Sequence, residues 1–311
     1  MRLKILMEDG PEALAALDPM YLEGHPVISP PKMPAGKALD RLAEDLARFE
    51  ETVGSGGASN NWALASSRTT TGRPLLANDP HLAPVLPPYW YLAHVRTPDW
   101  AVAGASFVGG PAFAAGHNGF AAWGLTNGMV DNTDLFIEEI GPDGRSVREG
   151  DQFIPCEVRH EVIRIKGQEA VEEDVLITPR GPIISPALDG EWDAISISAT
   201  WLAPRPLKGL LYIHLAQSFE EFRHCFEQWP ALSQNMVYAD ALGDIGWQLT
   251  GEAPQRRKGW GLLPAAGWDK EAGWEEEPLP FEQMPFLANP ESGFVATANA
   301  KPLRSGEEPF L

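Results

Sequence analysis

Thr52-Val53-Gly54-Ser55-Gly56-Gly57-Ala58-Ser59-Asn60-Asn61-Trp62-Ala63-Leu64 is the stretch on which the fold turns. Its three glycines make an exposed loop, open to cleavage and free to take backbone angles that other residues avoid. A strand pattern, Asn61 to Ser67, follows at once. A serine at such a junction has a chemical use. Cutting Ala58–Ser59 would leave Ser59 with a free α-amine beside its own hydroxyl. That amine titrates near pH 7.7–8.0, so about a tenth of it is neutral at pH 7. A neutral amine can take the hydroxyl proton, directly or through a water, so nucleophile and base share one residue. The competing reading is a plain Gly/Ser linker. The rest of the chain decides between them.

Ahead of the loop, residues 1–51 have helical character, with Leu39, Leu42, Leu46 and Phe49 on one face. Behind it the chain turns to strands. Leu75 to Ala77, Tyr89 to Val95 and Ala101 to Val108 have strand character, and residues 153–178 alternate around a pivot at Gly167-Gln168. Met236 to Ala239 and Ile245 to Leu249 flank Leu242-Gly243-Asp244 as a second hairpin. Ser218 to Trp229 is the clear helix: Ser218 and Glu221 form a capping box, and Phe219, Phe222, Phe226 and Trp229 make one stripe. The pattern is α+β.

The chain has 311 residues, a net charge of −19 and 22% charged residues. No basic cluster exists to track phosphates, which excludes nucleic acid as a partner. The longest uncharged run, Trp100 to Val130, holds glycines, Pro111, His117, Asn118 and Asn127, so it is buried strands and turns rather than a membrane span. The N-terminus lacks the long apolar core of a signal peptide. Cys156 and Cys225 match no disulfide framework or metal motif and are expected to be indifferent thiols. There is no G-x-S-x-G elbow, no H-E-x-x-H, no G-x-G-x-x-G and no P-loop, and the seven histidines are scattered. No organic cofactor is expected.

Further motifs follow Ser59 in order. They are Asn78-Asp79-Pro80-His81-Leu82, His117-Asn118-Gly119-Phe120 running to Asn127, Asp131-Asn132-Thr133-Asp134, Thr178-Pro179-Arg180-Gly181-Pro182, and Ser233-Gln234-Asn235-Met236-Val237-Tyr238-Ala239-Asp240. This ordered set resembles the penicillin acylase family of N-terminal-nucleophile hydrolases. The resemblance runs from about residue 8 to about residue 302. His81-Leu82, Thr97-Pro98-Asp99 and Asn127-Gly128-Met129 resemble the cephalosporin acylase branch.

The resemblance implies a fold, a reaction and a site. The fold is the four-layer αββα sandwich, here incomplete at both ends. The reaction is hydrolysis of a linear amide after self-cleavage before Ser59, on a penicillin or cephalosporin side-chain amide or an acyl-homoserine lactone. Ser59 is the implied nucleophile. Asn235 gives a side-chain N–H, and Asn127 a backbone N–H, to the carbonyl oxygen as it gains charge; each such donor is worth about 2.7–4 kcal/mol in the transition state. His81 orients the amine or hydroxyl. Arg256 orients Asn235 or meets a substrate carboxylate. Asp131, Thr133 and Asp134 match a segment that binds one structural Ca2+, for which carboxylate and carbonyl oxygens are suitable ligands. Leu82 stands where some members carry a phenylalanine in the acyl pocket.

By the same resemblance, residues 1–51 are the end of an α-subunit, 52–58 the processing linker, and 59–311 the first part of a β-subunit with a β-rich insertion near 140–180. The expected partners are the substrate and the chain's own α-subunit, and the expected location is periplasmic or extracellular. Family precursors are longer at both ends, so the chain is expected to be a fragment. The alternative is a protein that does not cleave itself, or a β-rich binding module that uses its 11 tryptophans.

Overall fold

A computed structural model describes residues 59–299 except 83–84, 111, 186–193, 260 and 262, together with Gly10 and Leu303. The helices expected in 1–51 and the linker at 52–58 lie outside the described residues. The described residues divide into two units. One falls within Gly54–Val130, Ala203–Ala253 and Pro278–Leu311, the other within Asp131–Leu202 and Pro254–Glu277.

The first unit is a pair of facing antiparallel sheets. The smaller has β1 (Ser59–Leu64) between β18 (Phe294–Thr297) and β2 (Leu75–Pro80). The larger runs β17 (Phe286–Ala288), β15 (Ile245–Leu249), β14 (Gln234–Asp240), β6 (Ala121–Asn127), β5 (Ala115–His117), β4 (Ala101–Phe107) and β3 (Trp90–Arg96). Period-2 alternation explains the stacking. Along β1, Ser59, Asn61 and Ala63 are buried while Asn60 and Trp62 face out. Along β14, Val237 and Ala239 pack with Ala63, Val295, Ile245, Trp247 and Leu249 between the sheets. The intervening Met236 and Tyr238 join Trp123 and the aromatic stripe on the opposite face.

That stripe belongs to α1 (Phe219–Glu227). The Ser218 hydroxyl accepts from the Glu221 N–H at 3.1 Å, and the Glu221 carboxylate accepts from the Gln217 N–H at 2.8 Å. The capping box therefore closes one residue earlier than its usual form. Phe222 and Phe226 pack edge to face, and each such buried side chain contributes about 1.5–3 kcal/mol. Helix, large sheet and small sheet make three layers; a helix over the outer face of the small sheet is not among the described residues.

The sheets approach closely at one glycine. A Cβ on Gly124 of β6 would fall 2.6 Å from the Asn78 Cβ and 2.7 Å from the Asn61 Oδ1.

The second unit holds β7 (Thr133–Glu138) between β13 (Ala194–Ala199) and the parallel β16 (Ala265–Ala266). It also holds the hairpin β8 (Ser146–Glu149) to β9 (Gln152–Pro155), and β10 (Glu157–Ile163) paired with β11 (Val171–Thr178), which continues to β12 (Gly181–Pro182). The β10–β11 turn is centred on Gly167, at φ +80°, the pivot expected from the sequence. In this unit the buried Glu138 is gripped by two Arg180 N–H groups at 2.7 and 2.8 Å and by the Ser196 hydroxyl at 2.6 Å.

Candidate active site

Ser59 opens β1 two residues earlier than the apolar pattern indicated, and its ladder partner is Pro80. Its side chain shares the inner face with Asn61 and Ala63 and is 8% exposed. Its backbone N–H donates to the Asn299 side-chain oxygen at 3.1 Å.

The inner face can be followed from core to site. Ala63 packs with Val237 and Ala239. Asn61, two residues back, lies over Gly124, the ladder partner of Val237. The ladder partner of Asn61 is Thr297, whose hydroxyl accepts from the Thr126 hydroxyl at 2.9 Å across the sheets. Thr126 pairs in turn with Asn235. Ser59 is two residues further in the same direction, about 7 Å along the strand. Asn235 is thus level with Asn61 and Thr297 on the facing sheet, and Ser59 lies two residues beyond that level.

Asn235 is 2% exposed and its amide is fully held. Its Nδ2 donates to the Asn127 carbonyl at 2.8 Å and to the Thr126 hydroxyl at 3.2 Å. Its Oδ1 accepts from the Trp247 indole N–H at 2.9 Å. An indole N–H only donates, so the atom facing Trp247 must be the amide oxygen, and the NH2 must face Asn127 and Thr126. The Asn127 backbone is placed by β-ladder alternation. Gln234 directs its N–H to the Thr250 hydroxyl and its carbonyl to the Thr250 N–H, both away from β6. The facing pair Gln234 and Asn127 is therefore not hydrogen-bonded, and the Asn127 N–H points away from β14.

His81 directly follows Pro80, the partner of Ser59, so the backbone brings it close to Ser59. Its ring is turned to Asp79, 3.1 Å from Nε2 to Oδ2, and both side chains are more than half exposed.

The other expected residues gather in the second unit. Arg256 is engaged within the second unit. Its Nε and Nη2 grip the Asp134 carboxylate at 2.9–3.2 Å, and Nη2 also donates to the Asp131 carbonyl at 3.0 Å. The Trp274 indole N–H gives Asp134 a further bond at 2.6 Å. Gly261, at φ +72°, closes over the pair; a Cβ there would fall 2.0 Å from Asp134 Oδ1. The Thr133 hydroxyl donates to Asn132 Oδ1 and accepts from the Trp201 indole. This arrangement does not fit the implied calcium. The Asp134 oxygens already serve a guanidinium and an indole, and among the described residues no three His, Cys, Asp or Glu side chains converge on a metal position.

Sequence reasoning missed Trp247, Thr126, Thr297, Asn78 and Asn299. Asn78 Nδ2 ties the Asn60 carbonyl, next to Ser59, to the Leu125 carbonyl on the facing sheet, at 3.1 and 2.8 Å. Asn78 and Thr126 stand in the quoted motifs, but their partners lie tens to hundreds of residues away. Three tryptophans, Trp123, Trp229 and Trp247, are core side chains and not groove linings.

The penicillin amidase family model matches residues 2–310. An acyl-homoserine lactone acylase, QuiP, of Pseudomonas fluorescens is 34% identical over 96% of this chain and 36% of its own length. The penicillin acylase 2 proenzyme of a Pseudomonas species is 31% identical over 90% of this chain and 38% of its own. The solved penicillin G acylase of Alcaligenes faecalis superposes with a TM-score of 0.67 at 25% identity, covering 80% of this chain and 45% of that one. The chain belongs to the penicillin amidase family. It spans little more than a third of the length of the curated relatives it matches. Among the described residues no helix is long and apolar enough to cross a membrane.

Proposed function

We propose that this chain is part of a self-cleaving acylase that hydrolyses a linear amide through an ester on Ser59. The observation that carries the reading is that Ser59 opens β1 with its side chain on the buried inner face and its N–H held by the Asn299 side-chain oxygen. Cleavage of Ala58–Ser59 turns the Ser59 N–H, now bonded to Asn299, into an α-amine held by the same oxygen. The amine takes the hydroxyl proton as Oγ attacks the substrate carbonyl carbon. The carbonyl oxygen gains charge and is met by an Asn235 N–H and the Asn127 N–H. The ammonium then protonates the leaving nitrogen, and the amine product departs. Water, deprotonated by the amine, attacks the ester carbonyl; the acid departs and the ammonium returns its proton to Ser59 Oγ.

His81, steadied by Asp79, stands beside this centre. The substrate class is a penicillin or cephalosporin side-chain amide or an acyl-homoserine lactone, the classes named by the relatives, and the α-subunit and a periplasmic or extracellular location belong to the same proposal. The deciding experiment is intact-mass analysis and N-terminal sequencing of the chain and of Ser59→Ala. The reading expects a new terminus Ser-Asn-Asn-Trp that Ser59→Ala abolishes, and turnover of fatty-acyl or phenylacetyl p-nitroanilides by the cut form alone. An uncut chain, or cleavage that persists in Ser59→Ala, overturns it.

A further inference from the structure

We propose that the free edge of β10 is an interface on which a second copy of this chain pairs, antiparallel, about a two-fold axis at His160. β10 and β11 form a hairpin, and β12 covers only the foot of β11, through Ile177 and Thr178. Beyond that foot, among the described residues, the two strands stand alone. β10 is exposed along its whole length, as is β11 from Val171 to Asp174. Two-stranded ribbons are marginal in water, and an open strand edge is a template for another strand.

The ladder shows which backbone groups are free. The Leu176 carbonyl accepts from the Ile183 N–H at 2.8 Å, on the side of β11 away from β10. Val158, the ladder partner of Leu176, therefore belongs to a non-hydrogen-bonded pair and turns its own N–H and carbonyl away from β11. Alternation gives His160 and Val162 the same direction. Cys156 follows the same alternation, but its N–H is already held by the Arg145 carbonyl at 2.8 Å. Val158, His160 and Val162 are thus the residues through which β10 can pair outward.

An axis at His160 uses all three. Val158 then faces Val162 of the second copy, and His160 faces its own counterpart, so each facing pair can exchange both hydrogen bonds. Between them Arg159 faces Glu161 of the second copy, and the axis repeats that pair. The match answers a local conflict. Glu161 lies directly opposite Glu173 on β11, a like-charge pair that weakens a ribbon. Arg159 meets Glu157 of its own strand at 3.5 Å, with both side chains more than half exposed. Neighbouring axes fail. At Arg159 or at Glu161 the axis sets like charges face to face, and at Val158 it needs the Cys156 N–H. The chain carries a net charge of −19, so two copies do not meet through overall charge. Opposite charges at the contact itself are what favour this pairing.

The test uses the full chain. Sedimentation equilibrium should report twice the chain mass at about 0.1 mM. Arg159→Glu and Glu161→Arg should each weaken the dimer about tenfold or more, because the axis makes one substitution act twice. The chain that carries both exchanges should regain the wild-type Kd to within about threefold. An equal mixture of the two single variants should form a mixed dimer where neither pairs with itself, since every facing charge is then opposite in sign. Val162→Pro removes an outward N–H and no ladder bond, so it should abolish the dimer with the hairpin kept. The charge exchanges carry the test if that variant fails to fold.

Hydrogen exchange followed by NMR reads the edge directly. The Val158, His160 and Val162 amides should exchange about tenfold more slowly at dimer-forming concentration than on dilution. A wild-type chain that stays monomeric overturns the proposal. So does a dimer that ignores the charge exchanges, or one that the double exchange does not rebuild. Equal protection of those amides at every concentration means that another part of the protein covers the edge, and overturns it too.

Discussion

The Ser59 backbone N–H and the Asn299 side-chain oxygen are hydrogen-bonded at 3.1 Å across 240 residues of chain. Asn299 sits at φ +60°, a conformation that asparagine and glycine tolerate better than other residues. Asn299→Gly therefore deletes the acceptor without backbone strain. In the cut form it should lower kcat severalfold, because the α-amine loses the group that aims it. Asn299→Asp is the sharper probe. A carboxylate stabilises the ammonium, which raises the amine pKa, so the acid limb of the kcat/KM profile should move to higher pH. A pH–rate profile of each variant checks both outcomes.

Gly124 marks the closest approach of the two sheets. Gly124→Ala would drive a methyl into Asn78 and Asn61, neither of which can retreat through the opposing strands. Overpacking of this kind costs about 1–3 kcal/mol. Thermal denaturation should show a lower Tm, accompanied by loss of self-cleavage if the strain reaches Ser59.

Arg256 supplies from within the chain the positive charge that a metal would bring to Asp134. Arg256→Met should be strongly destabilising, by about 3–5 kcal/mol, since it strands a buried carboxylate. Chelator should leave the wild-type Tm unchanged. A Tm that drops in chelator and recovers with calcium would show that Arg256 is not the sole counter-charge.

Cys225 should resist alkylation. Burial, with the nearby Glu221 carboxylate, pushes its thiol up to about 11. At pH 8 only about one molecule in a thousand carries the thiolate, which is the reactive form. Burial also raises the Cys156 thiol. Iodoacetamide labelling followed by mass spectrometry should be slow for both at pH 8. For Cys225 the rate should rise about a hundredfold at pH 10, as the thiolate fraction does.

Local chemistry made part of this legible in advance. The α1 cap at Ser218, the Gly167 turn and the β14–β15 hairpin follow from short-range rules, and each stands where the sequence placed it. The extent of β2 did not follow. Its polar end, Asn78-Asp79-Pro80, breaks the apolar alternation, yet it stays in the ladder because it pairs residue by residue with β1. The site was legible as residue types but not as partners. Arg256 carries no mark in the sequence that it prefers Asp134 to Asn235. Trp247 looked like one more core aromatic, because a buried indole shows its N–H partner only once the strands are side by side.

β1 is flanked along both edges, by β18 and by β2, so its ladders do not depend on the peptide bond that precedes it. A break at that bond would leave the sandwich intact but could not be repaired after the strands part. The mature molecule would then have a one-way life: once melted, its pieces lack the covalent tether under which they first found each other. Its working lifetime would be set by how slowly it unfolds, and not by the equilibrium between folded and unfolded forms.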